Sequence, residues 1–188
     1  ARSIAESLGR TLTPSPFMGS SILSVKVLTD AGSEAQQAWL PRIAAGEAIL
    51  SLAVDEGAKH APSRIAMRAV RSGNGFRLNG AKGFVLDGHV ADALIVVARA
   101  EGGLTLFLVD PKSAGVEIER TAMVDSHNAA RVTLTNVAVD ADAVIGEVGG
   151  GGGGGTSGGT TPTPTPTPSP TIATTETKAS MLAKADGT

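Results

Sequence analysis

An acidic pair, Asp55 and Glu56, directly follows an apolar run at residues 48–54 and is the first candidate for chemistry in this sequence. A pair of carboxylates could perform acid–base catalysis. Neighbouring residues on a strand point to opposite faces, however, so these two side chains could not easily share one substrate. The pattern therefore favours a structural or hydrogen-bonding role for the pair.

Three histidines, His60, His89 and His127, are the next candidates. They lie far apart and match no metal-ligand spacing, so loop or surface positions are expected and no metal site is predicted. Lys59, His60 and Arg64 could contact an anion, with ordinary solvated charge as the alternative. Residue types and spacing alone thus predict no catalytic residue.

Charge and composition exclude several classes of protein. The 16 Lys and Arg residues are balanced by 18 Asp and Glu, a net charge of −2, which gives no basic footprint for nucleic acid. The chain has no cysteine, so disulfides, thiolate nucleophiles and Cys-type metal sites are excluded. Because no apolar run is long enough to span a bilayer, no membrane partner is predicted, and a cytoplasmic location is expected.

Helical patterns occupy the first 46 residues. A first helix is predicted to end at Gly9, and a second is predicted over residues 20–28. Ser33 and Gln36 have the spacing of a capping box at the start of a third helix. Pro41 is expected to end that third helix early.

Beyond Gly46 the patterns change to those of short strands. Residues 72–75 predict a four-residue turn, and Asn79–Gly80 predicts a tight hairpin between the strands on either side of it. The alternation of the last strand slips in phase near Thr135–Asn136, which predicts a β-bulge. Strands are predicted at residues 48–54, 65–71, 76–78, 81–86, 93–98, 104–109, 116–120 and 131–139.

The predicted fold class is α+β. Short N-terminal helices (1–46) precede an antiparallel β-barrel or sandwich (47–148), and a disordered tail follows (149–188). Aromatic residues make up only 3% of the chain, so the core should be aliphatic. The tail opens with a run of glycines and continues as a Thr-Pro repeat, a composition typical of a disordered or extended spacer.

Several segments carry a shared order of motifs. They are AWLPRIAAGE at 38–47, GNGFRLNGAK at 73–82, ADALIVVAR at 91–99, LFLVD and GV within 106–116, and TNVAV and VIG within 135–146. In order and spacing they resemble the acyl-CoA dehydrogenase family, from the end of its helical N-terminal domain through its middle β-domain. The resemblance implies FAD as cofactor, an acyl-CoA thioester as substrate and α,β-dehydrogenation as the reaction, in fatty acid metabolism.

The resemblance also implies a set of flavin-binding positions. Phe84 stands where an aromatic residue covers the flavin, and Leu86 where a hydroxyl meets it, although Leu86 cannot donate a hydrogen bond. The Thr and Ser that commonly bind the flavin in the segment at 54–62 are lost. These departures resemble a divergent branch that includes dehydrogenases of dicarboxylyl, steroid-derived or otherwise unusual acyl-CoAs. The implied cofactor-binding residues are Leu52, Val54, Asp55, His60, Phe84 and Leu86.

The family's C-terminal helical bundle, which carries the catalytic glutamate, has no counterpart after Gly146. The resemblance therefore implies low or no activity for the chain alone, and a homo- or hetero-oligomer whose partner supplies the bundle and completes the acyl-CoA site. A chain that lacks an initiator Met is also expected to be a fragment, a processed chain or a frameshift product. A different class of protein, a non-catalytic β-barrel binding or assembly module on a Thr-Pro stalk, is the alternative.

Overall fold

The computed structural model describes residues 2–124 and 128–150. The expectations for His127 and for the tail beyond residue 150 lie outside the described residues. Helices precede strands, as predicted from the sequence. The helical elements that precede the first strand are α1 (Arg2–Thr11), a π-helical segment (Phe17–Ser24), α2 (Val25–Ala31), α3 (Glu34–Gln37) and α4 (Trp39–Ala44).

The capping box at the start of α3 is confirmed. The Gln36 amide donates to Ser33 Oγ at 3.3 Å, and the Ser33 amide donates to Gln36 Oε1 at 3.0 Å. The predicted helix over residues 20–28 is instead divided between the π-helical segment and α2. The first helix continues beyond Gly9 to Thr11.

The third helix ends early, as expected, because α3 stops at Gln37, before Pro41. Pro41 itself lies in the first turn of the next helix, α4. Proline has no N–H to donate to the carbonyl of Gln37, so α3 cannot continue through it. The first turn of a new helix needs no such donor, and a proline is therefore tolerated there.

Within the described residues, eight strands form one mostly antiparallel sheet, in the order β6–β7–β3–β2–β4–β5–β8 with β1 beside β4. This confirms the predicted β-domain after short helices. An antiparallel sheet was expected, but β1 and β2 each pair with β4 in the parallel orientation. The strands are β1 (Leu50–Ala53), β2 (Arg68–Ser72), β3 (Gly75–Leu86), β4 (Ala93–Ala100), β5 (Gly103–Val109), β6 (Val116–Ala122), β7 (Asn128–Asp140) and β8 (Val144–Ile145).

The predicted hairpin at Asn79–Gly80 is wrong, because both residues lie inside the continuous strand β3. The actual reversal is the predicted turn one step earlier, where Ser72 pairs with Gly75 across a two-residue loop. Gly80 has a φ of 146°, and a Cβ there would lie 3.0 Å from Met67. The Asn-Gly pair therefore serves a close approach between strands rather than a turn.

The predicted bulge at Thr135–Asn136 is confirmed. The pairing of β7 with β3 shifts register there, and Asn136 has a φ of 52°. The amide of Asn136 donates to Asn79 Oδ1 at 2.8 Å. The Asn79 side chain thus supports the irregular backbone of its neighbouring strand.

Strand β4 separates two apolar cores. Leu94, Val96 and Ala98 belong to the larger core of the sheet, whereas Ala93 and Ile95 belong to a smaller core shared with the helices. This explains why β4 appears in the sequence as a continuous apolar run, since a strand covered on both faces does not alternate. No described helix has the length and apolarity needed to cross a membrane.

Candidate functional site

A second bulge in β3 presents an aromatic ring at the surface. The register of β3 against β7 shifts between Lys82 and Val85, so Gly83 and Phe84 are out of regular pairing. Phe84 has a φ of 52° and is 53% exposed. A left-handed conformation is rare for an aromatic residue, and bulges commonly re-aim side chains near functional sites.

The loop that follows β1 carries a second polar feature, the pair formed by Asp55 and His60. The Asp55 carboxylate lies 3.0 Å from His60 Nδ1 and accepts a hydrogen bond from the Ala61 amide at 3.2 Å. The imidazole is largely exposed. The backbone carbonyl of Asp55 accepts a hydrogen bond from the Gly83 amide at 2.8 Å, which fixes this loop beside the Phe84 bulge.

A buried ion pair, Lys82 and Glu56, lies at the same junction. Lys82 Nζ donates to Glu56 Oε1 at 2.8 Å and to the Val54 carbonyl oxygen at 2.9 Å. The Glu56 carboxylate also accepts hydrogen bonds from the amides of Ala66 (2.8 Å) and Met67 (2.9 Å). The Lys82 side chain has no exposed surface, and the Glu56 side chain is 21% exposed.

This environment shifts the pKa of both partners. Burial lowers the pKa of Lys82, and the Glu56 carboxylate only partly restores it. Burial opposes ionisation of Glu56, but the hydrogen bonds from Lys82 and from the amides of Ala66 and Met67 outweigh it and hold the pKa of Glu56 below its usual value. Three donors on one carboxylate therefore stabilise its ionised form.

Two cavities border Glu56. One, of about 210 Å³, is lined by residues that include Lys82, Phe84 and Arg131. The other, of about 450 Å³, is lined by residues that include Lys59 and Arg64. Two of the three residues predicted to contact an anion thus share a cavity, whereas His60 is paired with Asp55.

Four of the six predicted flavin-binding residues lie in one region. Asp55 and His60 contact each other, and the amide of Gly83, next to Phe84, donates a hydrogen bond to the Asp55 carbonyl oxygen. The Val54 carbonyl joins the same region through Lys82. Binding of a flavin by these residues stays a prediction.

The other two predicted residues lie elsewhere. Leu86 ends β3 against the π-helical segment, where a Cβ on Gly19 would lie 3.6 Å from the Leu86 carbonyl oxygen. Leu52 packs into the smaller core that the sheet shares with the helices. The Leu52 side chain is therefore not brought to the surface around Phe84.

Sequence reasoning missed the Lys82–Glu56 pair. It gave Glu56 a structural or hydrogen-bonding role, which is confirmed, but it treated Lys82 only as part of a motif. The partners are 26 positions apart, and no local pattern connects them. The sequence offered one indication, which is that Lys82 is the single charged residue in a segment of small and apolar residues at 80–86.

The chain is similar to known proteins of one family. Residues 54–137 match the family described as acyl-CoA dehydrogenase, middle domain. Acyl-CoA dehydrogenase FadE27 of Mycobacterium tuberculosis is 32% identical over 140 residues, which make up 74% of this chain and 36% of FadE27. The chain therefore contains the middle domain of the acyl-CoA dehydrogenase family. Its middle domain contains Glu56, Lys82 and Phe84, whereas Leu52 lies just before the matched residues.

Solved structures of this family give the same assignment. The ChsE4–ChsE5 complex from Mycobacterium tuberculosis has a TM-score of 0.67 and 32% identity, over 74% of this chain and 37% of that chain. A glutaryl-CoA dehydrogenase from Mycobacterium smegmatis, solved in complex with FADH2, has a TM-score of 0.63 and 31% identity, over 66% of this chain and 33% of that chain. The chain thus spans about a third of the length of these relatives.

Proposed function

We propose that the surface around Phe84 is the middle-domain wall of a FAD site in an enzyme that dehydrogenates an acyl-CoA thioester. The observation that carries the proposal is the exposed Phe84 ring on its left-handed bulge, beside the loop of Asp55 and His60. The related glutaryl-CoA dehydrogenase solved with FADH2 supports FAD as the cofactor. The family membership supports an acyl-CoA as the substrate.

The residues of this surface fit the flat face of a flavin better than its polar edge. Phe84 offers an exposed aromatic face, and Val54 is apolar. Val54 has no hydroxyl, so polar contacts to the ring would have to come from backbone groups or from His60. This donor set suits a flat, mostly apolar ligand with few polar contacts.

When bound, FAD supplies the acceptor for the hydride that leaves the β-carbon of the thioester. Phe84 would orient the ring by packing against it and exclude water from that face. The Asp55 carboxylate holds His60 by its Nδ1, which leaves the exposed Nε2 side of the imidazole to contact a polar group of cofactor or substrate.

The described residues near Phe84 offer no free carboxylate for proton abstraction. Asp55 is engaged by His60 and by the Ala61 amide, and Glu56 by Lys82 and two backbone amides. A carboxylate held ionised by three donors is a weak base. The base that removes the α-proton would come from outside this region, so we expect the chain alone to turn over acyl-CoA slowly or not at all.

A partner chain that supplies a helical bundle would complete such a site, as a homo- or hetero-oligomer. The related ChsE4–ChsE5 structure is itself a complex, which supports this part of the proposal. The domain boundaries belong to the same proposal, with 1–46 as the end of a helical domain and 47–148 as the middle domain. The cytoplasmic location and a role in fatty acid metabolism stay predictions.

The experiment that tests the proposal is a FAD titration of the wild-type chain and of Phe84→Ala, followed by quenching of flavin fluorescence. An aromatic contact is worth about 0.5–1.5 kcal/mol, so Phe84→Ala should weaken FAD binding by about threefold to tenfold. Val70→Ala, which truncates an equally exposed side chain on β2, is the matched control and should bind FAD as wild type does. Equal affinity of wild type and Phe84→Ala would refute the proposal, and no binding at all would favour the alternative of a non-catalytic binding module.

A further inference from the structure

Lys82 connects both ends of the loop between β1 and β2 to strand β3. Its ammonium donates to the Val54 carbonyl at the start of the loop and to the Glu56 carboxylate. Glu56 in turn accepts hydrogen bonds from the amides of Ala66 and Met67, at the end of the loop. One charged group on β3 therefore holds the two ends of residues 54–67 together.

The position of Lys82 relates this network to the Phe84 bulge. Lys82 is the last regularly paired residue of β3 before the bulge. The next amide, that of Gly83, donates to the Asp55 carbonyl in the same loop. Loop and bulge are thus joined through Lys82 and Gly83, and Glu56, Lys82 and Phe84 border one cavity.

Packing alone does not require a lysine here. An apolar side chain of similar length would fill the same volume without the desolvation that a buried ammonium suffers. The lowered pKa of Lys82 reflects that desolvation. The ammonium, unlike an apolar group, donates directional hydrogen bonds, here to a carbonyl and a carboxylate of one loop.

We propose that Lys82 and Glu56 are positioning residues that hold loop 54–67 against the Phe84 bulge and so fix the geometry of the flavin-facing surface. This inference deepens the proposed function and rests on it for the flavin readout. Neither residue needs to touch the flavin for this role. Loss of the ammonium should loosen the loop and the bulge together while the two cores stay intact.

The first experiment is hydrogen exchange on the full chain for wild type, Lys82→Met and Lys26→Met. Lys26→Met is the matched control, since it removes the ammonium of an exposed ion pair with Asp30 on α2. In Lys82→Met the amides of Ala66, Met67 and Gly83 should exchange about tenfold faster or more, as expected for local opening. Amides of β4 and β5 should keep their protection, and Lys26→Met should match wild type throughout.

Glu56→Gln gives a finer readout of the same network. Glu56 Oε1 accepts hydrogen bonds from Lys82 Nζ and the Met67 amide, whereas Oε2 accepts one from the Ala66 amide. A glutamine can keep the first set of acceptor contacts, but its amide nitrogen cannot accept the Ala66 N–H. We therefore expect the Ala66 amide to lose protection in Glu56→Gln while the Met67 and Gly83 amides keep theirs.

FAD affinity of the same variants separates positioning from mere stabilisation. Lys82→Met should weaken FAD binding at least as much as Phe84→Ala does, about threefold or more, at a temperature where β4 and β5 remain protected. Unchanged exchange at Ala66, Met67 and Gly83 in Lys82→Met would overturn the inference, and so would faster exchange with unchanged FAD affinity. If Lys82→Met does not fold, the Glu56→Gln pattern decides. If wild type binds no FAD, the proposed function fails. The exchange data then decide by themselves whether Lys82 and Glu56 fix loop 54–67 against the Phe84 bulge.

Discussion

Lys82 and Glu56 form an ion pair beneath the surface around Phe84, and the two residues differ in burial. The Lys82 ammonium is fully buried, so its charge needs the Glu56 carboxylate and the Val54 carbonyl to replace water. Glu56 is partly exposed and has three donors of its own. The pair is therefore unequal, because Lys82 depends on Glu56 more than Glu56 depends on Lys82.

The pH dependence of the free energy of unfolding should reveal the ionisation of Glu56. Its pKa is lower in the folded chain than the usual value of 4.5, so its ionisation stabilises the fold above about pH 4.5 and this contribution is lost as the pH falls through the folded pKa. In urea titrations, wild type should exceed Glu56→Gln in stability at pH 7, and this difference should shrink below pH 4.5. The nearby charged groups to be considered are Asp55, Lys59, Arg64, Lys82 and Arg131.

Glu117→Gln, which changes an exposed carboxylate on β6, is the control for that comparison. A difference between wild type and Glu56→Gln that stays constant from pH 7 to pH 3 would contradict the prediction. Lys82 changes the stability with pH in the same direction, but at the alkaline end, since its lowered pKa means that the unfolded chain binds this proton more tightly. The contribution of Lys82 to stability should therefore rise with pH up to about 10.5.

At the scale of single residues the sequence was informative where chemistry is local. Asp55 and Glu56 bind different partners, as expected, although both lie in the loop after β1 and not on a strand. The resemblance to the family marked Phe84, whose exposure agrees with a role at the surface. Lys82 could not be paired with Glu56 from the sequence, because the contact depends on how β3 packs beside the end of β1.

The strands themselves were largely predictable, and the Asn79–Gly80 segment shows where prediction stopped. An Asn-Gly pair between two apolar segments is typical of a hairpin, but here Ser72–Gly75 already supplies the reversal. Asn79 and Gly80 instead adapt β3 to the bulge of β7 and to Met67. The parallel pairing of β1 with β4 was also missed, because neighbouring strands in space are far apart in the sequence.

Gly80→Ala tests this interpretation of the Asn-Gly pair. A Cβ at Gly80 would lie 3.0 Å from Met67, whereas one at Gly73 would meet nothing within 4 Å. Both positions have a positive φ, so both alanine variants are strained, by about 1–2 kcal/mol at Gly73 (φ 59°) and by about 1–3 kcal/mol at Gly80 (φ 146°). Gly80→Ala should lose about 1–3 kcal/mol more because of the overpacking. Equal free energies of unfolding for the two variants in urea would contradict the packing argument.

Across the described residues, polar contacts as well as the smaller core attach the helices to the sheet. Gln36 Nε2 donates to the carbonyls of Asp142 (2.8 Å) and Val144 (3.0 Å), next to and within β8. Leu28 and Ile43 bury their side chains in the smaller core below the same helices. The capping box could be predicted locally, but this second use of Gln36 could not, because its partners are more than 100 residues away.

Gln36→Ala should therefore destabilise the chain, since it leaves two carbonyls without their donor and removes half of the capping box. We expect a loss of about 1–3 kcal/mol, measured in urea with the emission of the single tryptophan, Trp39, as the probe. Gln37→Ala is the matched control, because Gln37 bonds only locally, to the Gly32 carbonyl, and is exposed. A loss in Gln37→Ala as large as that in Gln36→Ala would show that the contact to β8 contributes little.

The most direct test of a flavin-facing middle domain is equilibrium dialysis of the full wild-type chain against FAD, with Phe84→Ala and Val70→Ala in parallel. Saturable binding to wild type and Val70→Ala, weakened about threefold to tenfold in Phe84→Ala, is the expected result. FAD that distributes equally across the membrane for wild type, or that binds wild type and Phe84→Ala alike, would contradict it.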